Sequence, residues 1–306
     1  MDKNKDLVGH LSALLTILVW GTTFISTKIL LVKFTPLEIL LFRFIIGFIA
    51  LHVIYPKRLK LMTLKQEALF IGAGISGVTL YFLLENIALT YTLASNVGII
   101  IAIAPFFTAL FSHWFLGDEK LKSNFFIGFV IAMAGVILIN FNGNVVLKLN
   151  PLGDFLAILA AMVWAIYAVL TKKISQYGYN TVQTTRRIFF YGIICMLPVT
   201  LWMPVQWKWA NIIQPTIFLN ILFLGLGASA LCFVTWNTAV KYLGAVKTSI
   251  YIYMVPAITI ITSIIVLKEQ LTWIAMIGTF LTLIGLIISS SNIKLKLNKV
   301  AVQKKT

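Results

Sequence analysis

The chain has 306 residues, of which 60% are apolar, 13% aromatic and 11% charged, where a soluble domain has roughly 45–50% apolar and about 25% charged residues. At a mean hydropathy of +0.96 there is too little polar surface to coat a water-soluble body, so the excess apolar side chains must face lipid and a soluble enzyme is excluded. A net charge of +16 would suggest nucleic acid in a soluble chain, but in a membrane chain it points to basic loops gathered on one side.

A spanning helix needs about 20 mainly apolar residues. Stretches almost free of Asp, Glu, Lys and Arg recur ten times, at 8–30, 35–55, 68–89, 94–116, 123–142, 153–171, 184–203, 214–239, 245–267 and 272–293. Their separators carry turn and charge chemistry, as in Pro56-Lys57-Arg58, Gly117-Asp118-Glu119-Lys120 and Lys268-Glu269-Gln270, and are too short to hold a soluble domain. Lys3 and Lys5 precede the first run, yet that run shows no small-residue cleavage site and nine more follow, so it reads as a membrane helix rather than a secretory signal. Cys195 and Cys232 lie inside apolar runs and carry no metal or disulfide signal.

With the N-terminus in the cytoplasm, sixteen basic residues fall in inner segments, Lys57, Arg58, Lys172, Lys173 and Lys241 among them, against Lys33, Lys148, Lys208 and Lys268 outside. This bias predicts a multi-pass protein of the cell inner (plasma) membrane with both termini cytoplasmic. Residues 1–7 and the basic tail 294–306 are then cytoplasmic ends, the tail lying against anionic headgroups; no nucleic-acid partner is expected.

Shifting the chain on itself by 144 pairs Gly9 with Gly153, Trp20 with Trp164, Lys28 with Lys172 and Arg43 with Arg187. At 151, Asn86 meets Asn237 and Pro105 meets Pro256; at 150, Gly128 and Gly135 meet Gly278 and Gly285. The same ordered series along both halves predicts a repeat over 8–143 and 151–293. Five helices per half is an odd number, so the second copy enters the membrane from the opposite side. The expected fold is an all-α integral membrane protein of ten transmembrane helices in two inverted five-helix repeats, an arrangement typical of alternating-access carriers with the site near the midplane.

Trp20-Gly21-Thr22-Thr23-Phe24 with Lys28, Arg43, Asn86-Ile87-Ala88-Leu89, Pro105 with Gly117-Asp118-Glu119, Gly128 with Gly135, Trp164, Pro256 and Lys268-Glu269 together resemble the EamA family of the drug/metabolite transporter superfamily. The resemblance covers about residues 8–293. It implies a carrier of amino acids, other small metabolites or drugs, most often an exporter, with spans 5 and 10 as scaffold and the other eight around a central cavity. Gly21 gives way to Ala165 in the second copy, so the Trp-Gly signature is intact only once.

Charges inside a membrane need a reason, which singles out Lys28, Arg43, Glu85, Arg186 and Arg187. Glu85 and Lys28 lie at similar depth and are expected to form a structural pair or to bind a zwitterion and a proton by turns. Arg43, about two turns into span 2, suits either a bidentate contact to a substrate carboxylate or capping of free carbonyls; Arg186 and Arg187 suit snorkelling. His113, near the inner end of span 4, is expected to sit toward the interface rather than relay protons. Trp20, Phe24, Tyr81, Trp164, Tyr167, Trp236 and Tyr251 offer rings to an apolar or aromatic solute, and Asn86, Asn96 and Asn237 offer neutral hydrogen bonds, although packing explains each of these equally well. Pro105 and Pro256, mid-span, are expected to kink their helices as hinges.

The expected activity is secondary-active or facilitative transport of small organic metabolites, most simply amino-acid export, with membrane lipids and protons as further partners. Multidrug efflux and metabolite import are the alternatives within that class. A membrane-embedded enzyme is the alternative outside it, but it would need an intramembrane metal or acid/base cluster, and none is seen. No Walker-type phosphate loop appears, and no metal or cofactor is expected.

Overall fold

A computed structural model describes residues 3–59, 63–92, 94–117, 123–140, 150–203, 205–206, 212–267 and 273–290. Among them there are helices and connecting turns but no strand. Hydropathy places the helices and local capping ends them. Helix α1 is Lys3–Leu31. Helix α2, Pro36–Ile54, opens with a capping box: the Glu38 N–H donates to Thr35 Oγ1 and the Thr35 N–H to Glu38 Oε2. Helix α3, Leu64–Tyr91, is capped in the same way by Thr63 and Gln66, and its middle, Ile75–Leu80, is π-helical. Span 4 is broken into α4, Ala94–Ile101, and α5, Ala104–Leu116; α6 is Ser123–Asn140.

In the second half α7 is Pro151–Ser175, capped by Asn150, and α8 is Thr181–Met196, capped by Asn180. Helix α9, Pro215–Leu243, is π-helical over Phe223–Leu231. Span 9 comprises α10, Ala245–Ser249, a 3-10 stretch Ile250–Met254, and α11, Val255–Leu267; α12 is Trp273–Ser290. By length and composition α1, α2, α3, α7 and α9 suffice to cross a bilayer. The expected kinks at Pro105 and Pro256 take a different form. Proline cannot donate within a helix, so each instead stands in the first turn of a new one, after a turn at Ala102 and Ile103 or after the 3-10 stretch.

Successive helix ends gather on two faces. On the N-terminal face His10 Nδ1 meets Tyr251 Oη at 2.6 Å, Arg186 reaches the carbonyls of Tyr55 and Lys57, and Arg187 pairs with Glu67. On the opposite face Gly153 lies beside Tyr91 and Thr92, and Glu38 Oε1 accepts from the Gln206 N–H at 2.8 Å.

The two halves meet through glycines. A Cβ at Gly74 would stand 2.7 Å from the Gly192 nitrogen, and one at Gly47 3.2 Å from the Gly225 oxygen, so α3 crosses α8 as α2 crosses α9. Helices α6 and α12 close on each other likewise, a Gly285 Cβ falling 2.5 Å from the Ala132 nitrogen and 2.6 Å from the Gly128 oxygen. At the centre Phe44 and Phe189 meet edge to face at 5.0 Å, both against Phe233.

Candidate functional site

Between the halves lies a cavity with about 470 Å3 of empty space, part of it open to the outside. Trp20, Thr23 and Phe24 of α1 form one wall: residues three and four apart share a helix face. Tyr81, Phe82 and Glu85 of α3 form another, and Arg43, Ile101, Trp164, Ile252 and Val255 complete the lining. Trp20 and Trp164 stand edge to face at 5.2 Å, and Trp236 packs behind both, 5.1 Å from Trp20 and 5.6 Å from Trp164. The Trp20 indole N–H donates to the Ala228 carbonyl at 2.9 Å, which fixes that ring. The Trp164 Nε1 is buried without an acceptor among the described residues, a donor left over in the cavity wall.

Two opposite charges face this space. Arg43 is 2% exposed; its Nε donates to Ser229 Oγ at 3.0 Å and its guanidinium carbon sits 4.1 Å from the Phe82 ring centroid. Stacking on that ring offsets part of the cost of burying the cation. Glu85, 7% exposed, accepts from the Tyr81 hydroxyl at 3.3 Å. The two side chains line the same cavity yet form no ion pair within 4 Å. A guanidinium and a carboxyl group that line one cavity without pairing can offer contacts to a solute carrying both signs.

Of the residues singled out by sequence, Trp20, Phe24, Arg43, Tyr81, Glu85 and Trp164 line the cavity together. The rest lie elsewhere. Tyr167 donates to Asn237 Oδ1 at 2.8 Å and Asn237 Nδ2 to Thr185 Oγ1 at 3.0 Å, a buried chain toward the N-terminal face. Asn86 donates to the Pro36 carbonyl, and Tyr251 bonds His10. The expected pairing of Lys28 with Glu85 is not formed: Lys28 Nζ donates to the Leu89 carbonyl at 3.0 Å, capping the end of α3. Arg186 and Arg187 bind carbonyls and Glu67 rather than simply snorkelling, and Tyr191 also donates to Glu67. The Asn96 side chain, Asp118-Glu119, Lys268-Glu269 and the basic tail lie outside the described residues.

Between the first and second spans of the two halves the repeat register shifts by one residue. The N-caps Thr35 and Asn180, the stacked Phe44 and Phe189, and Gly47 and Gly192 are all 145 apart. Arg43 and Arg187 are thus not equivalents, since one residue turns a helix by about 100°: Arg43 faces the cavity, Arg187 faces α3. The turn after α7 is one residue longer than the turn after α1, which accounts for the shift. Sequence reasoning missed Thr23, Phe82, Ile101, Ile252, Val255 and Ser229. A usable signal existed for two of them: Ile101 and Ile252 are 151 apart, in the register of the asparagines and prolines.

Apolar helices long enough to cross a bilayer, bundled around an aromatic cavity lined by the buried Arg43 and Glu85, are those of a multi-pass membrane protein. The sequence profile of the EamA-like transporter family matches residues 7–141 and again 151–291, and the chain belongs to that family of multi-pass membrane transporters. An "Uncharacterized transporter" of Clostridium kluyveri is 30% identical over 96% of this chain and 97% of its own length. Another, of Archaeoglobus fulgidus, is 29% identical over 92% and 97%. The "Uncharacterized transporter YyaM" of Bacillus subtilis is 26% identical over 90% and 91%. A crystal structure with 18% sequence identity matches 95% of this chain and 97% of its own with a TM-score of 0.73, a likeness of fold alone.

Proposed function

We propose that the chain is a secondary carrier that exports small zwitterionic metabolites, amino acids above all, through the cavity between its halves. The observation that carries this reading is the pair of buried, unneutralised charges, Arg43 and Glu85, set among the rings of Trp20, Phe24, Tyr81 and Trp164. Arg43 receives the carboxylate, its guanidinium offering planar paired donors. Glu85 receives the ammonium group or, when the site is empty, a proton, which couples flux to a proton gradient. The rings accept an apolar or aromatic side chain and tolerate variation in its shape.

Ten membrane passages in two inverted repeats, with both termini cytoplasmic in the inner membrane, are part of the same proposal. The glycine crossings of α3 with α8 and α2 with α9 support the repeat, and the basic residues of the N-terminal face support the orientation. Alternating access then exchanges which face reaches the cavity.

The test compares metabolites in medium and cytoplasm of cells overproducing the protein with cells producing a Trp20→Ala, Trp164→Ala variant at equal level. A zwitterion enriched in the medium only with the intact protein supports the proposal. Enrichment inside makes the chain an importer, and the same distribution with both proteins removes the cavity from the transport path.

A further inference from the structure

A second concavity, with about 1240 Å3 of free space open to the outside, lies on the N-terminal face between the end of α2 and the start of α8. Its floor is apolar: the rings of Phe48 and Phe190 stand 6.3 Å apart. Ile49, Val53 and Ile194 beside it are exposed apolar residues, which puts the groove on a lipid-facing surface. Its rim is basic. Arg186 Nη1 donates to the Tyr55 carbonyl at 2.5 Å and Nη2 to the Lys57 carbonyl at 2.6 Å, while Gln183 Nε2 donates to the Lys57 carbonyl at 3.0 Å. Arg187, on the same rim, has its charge answered by Glu67. Among the described residues the exposed Arg58 and the buried Arg186 have no acid to pair with, and the two like charges share the rim.

The repeat separates what the fold needs from what it does not. Position 183 corresponds to position 38 in the register of the helix caps. Glu38 ties down the segment after α8 by accepting from the Gln206 N–H, as Gln183 ties down the segment after α2. Arg186 and Arg58 correspond in that register to Leu41 and Met203. The staple therefore forms on the opposite face without any arginine, and the two unneutralised guanidiniums of the N-terminal face call for an anion.

We propose that this groove is a binding site for an anionic phospholipid, its phosphate between Arg58 and Arg186 and an acyl chain along Phe48 and Phe190. A basic pocket between helix ends, above an apolar floor that faces hydrocarbon, matches a headgroup and tail together, which a free phosphate would use only in part. The proposal needs the chain in a membrane and is independent of what it transports.

The purified protein is incubated in detergent with phosphatidylglycerol, with phosphatidylcholine, or with phosphatidylglycerol plus excess inorganic phosphate, and bound lipid is counted by native mass spectrometry. Arg58→Gln removes a cation that holds no partner among the described residues, and Lys33→Gln makes the same charge change on the opposite face. Phosphatidylglycerol is expected to be retained over phosphatidylcholine, to withstand inorganic phosphate, and to bind about fivefold more weakly to Arg58→Gln but not to Lys33→Gln. Equal unfolding temperatures without lipid show that both variants are folded. Unchanged retention by folded Arg58→Gln, no preference between the two lipids, or displacement by inorganic phosphate would each overturn the assignment.

Discussion

Arg43 and Glu85 bear on one another through a space that neither fills, so each makes a separate prediction. Arg43→Lys keeps a positive charge but loses the planar fork and the stacking on Phe82. It is expected to weaken binding of a carboxylate solute by about tenfold to a hundredfold, the worth of one hydrogen bond to a charged group, in proteoliposome uptake of that solute; an unchanged affinity would move the carboxylate elsewhere. Glu85→Gln preserves shape and removes the titratable proton. Flux driven by a pH gradient should vanish while exchange of solute against solute persists; gradient-driven flux at the original rate would show that another group carries the proton. The indole N–H of Trp164, without an acceptor among the described residues, predicts that Trp164→Phe costs solute affinity in proteoliposome uptake, whereas Trp236, whose Nε1 likewise has no acceptor among the described residues but lies behind the cavity lining, tolerates Phe. These cavity residues were legible in sequence because charge and indole rings stand out in an apolar run. Thr23, Phe82 and Val255 were not, because an apolar or hydroxylated residue that faces a cavity looks the same as one that faces a neighbouring helix or lipid.

At the scale of the element, hydropathy was the readable signal, and the helices lie along the stretches it marks. Breaks inside the spans were read only as prolines. The structure turns Pro105 and Pro256 into starts of helices, since a missing donor costs nothing in a first turn. The π-helical segments Ile75–Leu80 and Phe223–Leu231 left no sequence trace, because an extra residue in a turn is set by tertiary crowding rather than local propensity. The glycine crossing at Gly225 lies inside the second segment and the one at Gly74 immediately precedes the first. The recurrent glycines of spans 5 and 10 were readable as a packing face, and the partner proved to be each other's helix. Gly285→Ala would push a methyl group to 2.5 Å from the Ala132 backbone nitrogen, where no side chain can yield. A loss of about 1–3 kcal/mol is expected, seen as a lowered unfolding temperature in detergent. Gly227→Ala, whose Cβ would meet only the Phe223 ring at 3.5 and 3.7 Å, should leave it unchanged, and equal unfolding temperatures for the two variants would contradict the tight α6–α12 contact.

For the whole molecule, the sidedness of charge and the sidedness of helix ends are independent observations that agree. Arg58, Lys172, Lys173 and Lys241 sit at helix ends that share a face with the N-terminus, while Lys33 stands on the other. Charge alone suggests an orientation from sequence; it could not say that Arg43 and Arg187 lie in different environments, because a one-residue difference between two turns is invisible in apolar sequence. The orientation yields a test that needs no substrate. Val32, 77% exposed, lies in the turn after α1 on the opposite face, and Leu64, 90% exposed, begins α3 on the N-terminal face. In a Cys195→Ser background, with Cys232 fully buried, Val32→Cys should react with a membrane-impermeant maleimide added to intact cells, and Leu64→Cys only after the membrane is opened. The reverse pattern would put the N-terminus outside and the lipid groove in the outer leaflet. Labelling of both from outside would mean that the two faces do not lie on opposite sides of the membrane, and would overturn the proposed inverted repeat.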